Sequence, residues 1–336
     1  MNKKTKILFS KRFEIKGTQE SFDFLDVYVN ADSLFFVDAA RIKYESTRKS
    51  EYQYLFIRMQ EKIDSFFNKV LSLYETLDKD DAANEAIFKS ILGYAKETQA
   101  THLGFGKIDS PGKGSSFEIL KDAFDYIYTE NLLEQGVISD FEELTLFTEN
   151  FAYDRMSDFI ISLILPELAE FTLIQAKKHK VKDMYYFNEP YTIGHAWDVE
   201  HEKWVLFKER ALSNGGKPVL LIPINIISRT FLYDPKKYLS HTLYRRQDDY
   251  RNMDSEYNTI KKDGTVKPPS HDKIKEIEIR DLDLSTKRYL IQRTLADKKL
   301  KSSFAGNISH IVANGSAVLT ADEIEAYRIA DAKKDK

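Results

Sequence analysis

Two aspartates, Asp154 and Asp158, stand four residues apart just before a long stretch of periodically spaced apolar residues. Side chains at this spacing lie on one side of a helix, so their carboxylates can share a cation. Hard divalent ions such as Mg²⁺ prefer oxygen ligands, and a bound ion of this type activates water for attack on a phosphoryl group. The spacing therefore predicts that Asp154 and Asp158 are catalytic residues and ligands of a Mg²⁺ ion.

A structural alternative explains the same two aspartates without any chemistry. Asp154 or Ser157 can act as the N-cap of the helix that follows, since a short side-chain oxygen accepts hydrogen bonds from the first turn. Asp158 then benefits only from the helix dipole, which favours carboxylates near the N-terminus. Both interpretations place the pair at the start of a helix.

Asp38 is predicted as a third metal ligand. It ends the apolar run 34–37, which is typical of a strand. Ligand-binding side chains often follow the strands of open sheets. The alternative is that Asp38 is an ordinary turn residue.

A glycine-rich stretch, 104–116, precedes a predicted helix that begins near Phe117. A glycine loop that leads into a helix can hold phosphate, because the backbone N–H groups point towards the anion. The stretch is not a Walker A motif, since five residues and not four separate Gly106 from Gly112. The alternative is a plain flexible loop capped by Ser116. The predicted phosphate-binding residues are Gly104, Gly106, Gly112, Lys113, Gly114 and Ser115.

The apolar period that follows the two aspartates predicts a central helix near 157–181. Pro166 lies inside it and predicts either a helix start or a kink at that point. Residues 175–177, Gln-Ala-Lys, imitate the (E/Q)xK pattern of restriction-endonuclease-like nucleases, which requires a buried strand. The helical period runs on through these residues, so we expect a helix there.

The remaining patterns predict an α+β fold with a mixed β-sheet and several long amphipathic helices. A polar stretch, 251–272, is predicted as a linker or long loop between an α+β core domain, 1–250, and a mainly helical C-terminal region, 273–336. The predicted elements are strands within 5–38, helices at 52–77 and 82–96, a hairpin marked by Trp197 and Trp204, a buried strand at 217–227, and C-terminal helices at 285–301 and after a capping box formed by Thr320 and Glu323.

Composition indicates which kinds of site and which cellular location we expect for this chain. The chain has 336 residues, a net charge of −3 and no cysteine. Disulfides and thiolate sites are therefore excluded, which fits a reducing cytoplasm. The longest apolar run, near Phe159, is far shorter than the roughly 20 residues of a membrane-spanning helix. We therefore expect a cytoplasmic protein with no membrane partner.

The charge gives no global indication of a nucleic-acid partner. Residues 233–250 interleave tyrosines with lysines and arginines. Such a surface can bind single-stranded nucleic acid by stacking and charge. A helix with its tyrosines packed inward is the more common structure for this pattern.

Several phrases, in matching order over 35–229, resemble an uncharacterised bacterial family associated with phage-defence and mobile-element loci. They are LFFVDAARI, THLGFG followed by GKG, GVISDFEELTLF, DRMSDFI and VLLIPINII. The resemblance implies a role against invading nucleic acid but no named fold or established activity. This chain has Ala39 where the family pattern has proline, and Asn225 where it has lysine. If that lysine is catalytic, its replacement argues against activity here.

Two hypotheses follow. In the first, the protein is a Mg²⁺-dependent nuclease or phosphodiesterase that acts on nucleic acid, with Asp38 or Asp140 as an added ligand. In the second, it is a non-catalytic sensor or adaptor that binds a second protein subunit or nucleic acid; the oligomeric state is left open. An enzyme needs the acids and the glycine loop in one place, whereas an adaptor needs an exposed apolar or aromatic patch.

Overall fold

The computed structural model describes residues 5–94, 100–104, 117–149, 153–315 and 318–334. Of the described residues, 53% are helical and 12% lie in small antiparallel sheets. The predicted α+β fold is therefore confirmed.

The helices carry most of the architecture. Among the described residues they are α1 (Phe9–Arg12), α2 (Ala39–Thr47), α3 (Gln53–Thr76), α4 (Glu85–Leu92), α5 (Phe117–Thr129), α6 (Leu144–Phe147), α7 (Tyr153–Leu163), α8 (Leu165–Lys178), α9 (Pro235–Arg251), α10 (His271–Lys275), α11 (Thr286–Ala296), α12 (Leu300–Ala313) and α13 (Ala321–Lys334). A π-helical turn, Glu276–Arg280, follows α10 directly.

The described strands form four two-stranded antiparallel sheets, and not the single mixed sheet that we predicted. The pairs are β1 (Phe36–Val37) with β6 (Ile227–Ser228), β2 (Tyr191–Asp198) with β3 (Lys203–Glu209), β4 (Leu212–Asn214) with β5 (Lys217–Val219), and β7 (Thr259–Ile260) with β8 (Val266–Lys267). The predicted hairpin is confirmed, because Trp197 and Trp204 are partners in register.

The long strand predicted at 217–227 is interrupted. After β5 the chain is extended, turns through a 3₁₀ segment at Ile224–Ile226, and only then enters β6. Pro223 has no N–H to donate to a neighbouring strand, so it stands in a single bridge with Phe24. The predicted N-terminal strands are likewise reduced to isolated bridges, such as Leu8 with Tyr28.

Helix α3 organises the core and nearly coincides with the helix predicted at 52–77. Its buried stripe follows the helical period, so one face packs inward while the other stays polar. Phe66 on this stripe meets Phe159 of α7 at 4.8 Å and Trp197 of β2 at 5.1 Å between ring centroids. The stripe thus joins the helix that carries Asp154 and Asp158 to the β2–β3 hairpin.

The central helix predicted at 157–181 is two helices, α7 and α8, which meet at an angle of 77°. Pro166 occupies the first turn of α8, where its missing N–H costs no helical hydrogen bond. A new helix therefore starts there, in agreement with one of the two interpretations of this proline. Gln175 lies on α8 and is fully buried, so the helical interpretation of 175–177 is also confirmed.

The C-terminal region packs against the same hydrophobic core as the rest of the chain, with Tyr289, Phe304 and Ile324 buried in it. The capping box at α13 is formed as predicted, since Glu323 N donates to Thr320 Oγ1 at 3.2 Å and Thr320 N donates to Glu323 Oε2 at 2.8 Å. The helix predicted at 285–301 is divided into α11 and α12. The division into domains remains a prediction.

Within the described ranges, no single helix has both the length and the apolar composition to cross a bilayer. The bent pair of α7 and α8 meets that test only when its two members are taken together.

Candidate functional site

Asp154 lies in the first turn of α7, which begins at Tyr153. The helix dipole stabilises a negative charge at this end. Asp154 is partly exposed, whereas Asp158, one turn further along, is buried with 7% exposure. Neither residue caps the helix from outside; both belong to it.

Ser157 attaches α7 to β1. Its hydroxyl accepts a hydrogen bond from Val37 N at 2.9 Å. Ser157 lies inside α7, so the prediction of Ser157 as the N-cap is wrong. Tyr153 adds ring contacts to Phe36 at 5.9 Å and Phe231 at 4.9 Å. These contacts fix the start of α7 against β1.

Gly104 lies directly against Asp154. A Cβ atom at Gly104 would stand 2.8 Å from Asp154 Oδ1, closer than two non-bonded atoms tolerate. The backbone φ of +103° also favours glycine. Gly104 N donates to Ser33 O at 3.1 Å, which holds this backbone in place.

The structure therefore brings together two features that the sequence placed 50 positions apart, the start of the glycine-rich stretch and the first aspartate of α7. The other predicted phosphate-binding residues, Gly106, Gly112, Lys113, Gly114 and Ser115, lie outside the described residues.

Two buried polar atoms border this backbone segment. Ser33 Oγ and His102 Nε2 make no hydrogen bond in the described part of the chain. Burial, together with the nearby charge of Lys217, lowers the pKa of His102 to about 4, so the ring is neutral at pH 7. Neither residue belongs to a recognisable motif, so no signal in the sequence pointed to them.

Asp38 has a different environment from Asp154, which is partly exposed. It is the N-cap of α2, and its carboxylate accepts hydrogen bonds from Ala40 N at 3.1 Å, Ser228 Oγ at 3.0 Å and Leu232 N at 2.8 Å. Burial raises its pKa, and the neighbouring charge of Arg41 opposes that shift. These contacts account for its carboxylate without a metal.

Asp38 belongs to a buried polar cluster that the sequence did not reveal. Arg41 Nε donates to Ser228 Oγ at 2.7 Å, and Asn225 Nδ2 donates to Glu45 Oε2 at 3.2 Å. Arg41 and Glu45 are only 5% and 2% exposed. Asn225 therefore reaches a buried carboxylate.

No group of three or more His, Asp or Glu side chains in the described ranges is arranged to hold a metal ion. Asp140, the other acid considered as an added ligand, pairs with Lys43 at 2.8 Å. The predicted metal role thus depends on Asp154 and Asp158, with the remaining ligands supplied by water and substrate.

The tyrosine-rich segment forms α9, and its tyrosines mostly face inward, as we expected. Tyr238 and Tyr250 are buried, with 0% and 4% exposure, while Tyr244 is 62% exposed. A stacking surface for nucleic acid needs several exposed rings, so α9 does not provide one.

Comparison with known proteins gives one positive result. No curated protein and no solved structure matches the chain. A family model described as "Domain of unknown function (DUF8370)" matches residues 14–234, a range that contains the resemblance noted at 35–229. The chain belongs to this DUF8370 family, and the predicted membership of an uncharacterised family is confirmed.

Proposed function

We propose that this protein is a metal-dependent phosphodiesterase that acts on nucleic acid, with its active site at the start of α7. The observation that carries the proposal is the position of Asp154 Oδ1 directly over the bare backbone of Gly104. An acid suited to a metal ion and the first residue of a glycine-rich stretch suited to phosphate meet at one helix N-terminus.

In this proposal Asp154 and Asp158 would hold one Mg²⁺ ion. When bound, the ion would polarise the phosphoryl group and favour the loss of a proton from water. Water would attack phosphorus and lose its proton to solvent, and the bond to the leaving oxygen would break. That oxygen takes up a proton from solvent, so the products are a phosphomonoester and an alcohol.

The N-terminus of α7 assists the same step. The dipole of the helix and the N–H groups of its first turn favour an anion, which here is the phosphate of the substrate. We infer a cytoplasmic location from the absence of cysteine. The chain resembles an uncharacterised family associated with phage-defence loci, and we therefore propose invading nucleic acid as the substrate.

The test is a cleavage assay with plasmid and single-stranded oligonucleotides in the presence of Mg²⁺ or Mn²⁺. We expect Asp154→Ala and Asp158→Ala each to reduce the rate by about 100-fold or more, because each removes a ligand of the ion. Asp183→Ala is the matched control, since that carboxylate is 95% exposed and pairs with Arg210 at 3.0 Å.

Equal behaviour of the wild type and both site variants, with or without cleavage, would remove the proposal. A folded chain that leaves all of these substrates intact would instead favour the sensor or adaptor hypothesis.

A further inference from the structure

The cleft between α3, the start of α8 and the β2–β3 hairpin contains a second candidate site. Its volume is about 360 Å³, and it shares no lining residue with the Asp154 site. Most of its wall is apolar, formed by side chains that include Pro166, Val199, Val205 and Phe207. A cleft of this size and lining is typical of sites for small organic molecules.

A charge pair lies at the inner end of this cleft. Lys62 Nζ on α3 stands 2.9 Å from Oε2 of Glu167, which belongs to the first turn of α8. Glu167 is only 3% exposed, and the Lys62 side chain is 12% exposed. Two separate elements thus place a hydrogen-bond donor and an acceptor side by side against the cleft.

The hydrogen bonding of these groups is incomplete. Glu167 Oε2 and Arg58 Nε are both buried, and neither makes a well-directed hydrogen bond within the described chain. Lys62 is therefore close to Oε2 but poorly aligned with it, and Arg58 Nε is 3.6 Å from Glu167 Oε1, which is too long for a hydrogen bond. Buried polar atoms nearly always have partners, so this end of the cleft has capacity for both a donor and an acceptor.

We propose that this cleft binds a guanine-type base, a neutral planar ring with a carbonyl oxygen beside a ring N–H. Lys62 donates to the carbonyl oxygen, and the Glu167 carboxylate accepts from the ring N–H and the adjacent amino group. Guanine offers one acceptor and two donors along this edge. The flexible Lys62 side chain turns aside to expose Glu167, and the apolar walls cover the faces of the ring.

A neutral ligand fits the balanced charges of the side chains around the cleft. Arg58 and Lys62 are balanced by Glu167 and by Glu170, with which Arg58 also pairs. A phosphate or a free carboxylate would meet the further acids Glu61 and Glu200 in the cleft lining. This site is proposed independently of the phosphodiesterase activity.

The test is calorimetric titration of the full chain with guanosine and with adenosine, without metal. Adenosine lacks the carbonyl oxygen and the ring N–H, so we expect it to bind at least about tenfold more weakly. Glu167→Gln and Lys62→Met should each lower the affinity for guanosine by a similar factor, because each removes a charge-assisted hydrogen bond. Asp183→Asn, a change at an exposed acid outside the cleft lining, should retain the wild-type affinity.

Removing one partner of a buried pair can unfold the chain, so the double variant Lys62→Met/Glu167→Gln is measured beside the single ones. Circular dichroism confirms that each is folded. No saturable binding of guanosine to the wild type, equal affinity for adenosine, or unchanged affinity in the folded double variant would overturn the proposal.

Two further measurements extend the test. The first shows whether the base is bound as a free nucleoside or within a strand, and the second shows whether the cleft and the Asp154 site act independently. A guanine-containing oligonucleotide that binds more tightly than guanosine indicates recognition within a strand, whereas equal affinity indicates a free nucleoside. Asp154→Ala should bind guanosine as the wild type does, so failure of the catalytic proposal leaves this test intact.

Discussion

Asp38 and Asp154 occupy comparable positions, each at the start of a helix beside β1, but their carboxylates have different surroundings. Asp38 is 2% exposed and accepts three hydrogen bonds from the protein itself. Asp154 is partly exposed and lies over the backbone of Gly104. The hydrogen bonds of Asp38 explain it as a residue that maintains the fold, whereas Asp154 is reachable from solvent at a helix start, a position suited to an ion.

The comparison predicts its largest effect on stability at Asp38. Asp38→Ala should lower the free energy of unfolding by about 3–5 kcal/mol, because Leu232 N and the buried guanidinium of Arg41 lose an anionic partner. Denaturant unfolding followed by circular dichroism measures this. A loss below 1 kcal/mol would mean that the cluster around Asp38 is not a structural unit.

His102, two residues before Gly104, predicts a pH effect near the candidate site. Its folded pKa, about 4, lies below the ordinary 6.5, so the unfolded chain binds more protons between these values. His102 therefore makes its full contribution to the free energy of unfolding above pH 6.5. This contribution falls by about 3 kcal/mol as the pH decreases to 4.

The measurement is the difference between the wild type and His102→Asn at each pH, since asparagine tolerates the positive φ of 53°. This difference is needed because burial also raises the pKa values of Asp26, Asp38 and Glu142, which act with the opposite sign. Parallel pH curves for the two proteins would contradict the burial of a neutral ring.

Gly104→Ala tests the contact between the glycine-rich stretch and Asp154. We expect a loss of about 1–3 kcal/mol in stability, because the φ of +103° is strained for alanine and the new methyl group displaces the carboxylate. In the Asp154→Ala background the steric part should disappear. Gly136→Ala is the control, since it has a positive φ of 69° and open space around its Cβ position.

The smallest effect on stability is predicted at Asp154. Asp154→Ala should change the free energy of unfolding by less than about 1 kcal/mol, since the residue is partly exposed and lies in a helix first turn. A loss as large as that predicted for Asp38→Ala would place both aspartates in the same structural class and remove the contrast between them.

Local patterns in the sequence were sufficient for much of the fold. The apolar period of α3 and the capping box of α13 each depend on residues within one or two turns, and each is found as predicted. The same is true of the hairpin with Trp197 and Trp204, whose strands are joined by a short turn. The helix start at Pro166 is one of the two outcomes that the proline predicted.

Contacts between residues that are far apart in the sequence could not be predicted from local patterns. Asp38 follows an apolar run as a ligand would, but its partners Ser228 and Leu232 lie more than 180 positions away. The approach of Gly104 to Asp154 also depends on tertiary packing. The sequence suggested a mixed sheet because apolar runs indicate burial, and burial alone does not distinguish a strand from an extended core segment.

The most direct test of the account is Mn²⁺ binding measured by electron paramagnetic resonance, with Mn²⁺ as a substitute for Mg²⁺. If Asp154 and Asp158 hold the ion, the wild type and Asp38→Asn should each bind one Mn²⁺ per chain, while Asp154→Ala and Asp158→Ala should bind at least about tenfold more weakly. Wild-type affinity in both alanine variants, or no saturable binding in the wild type, would contradict it.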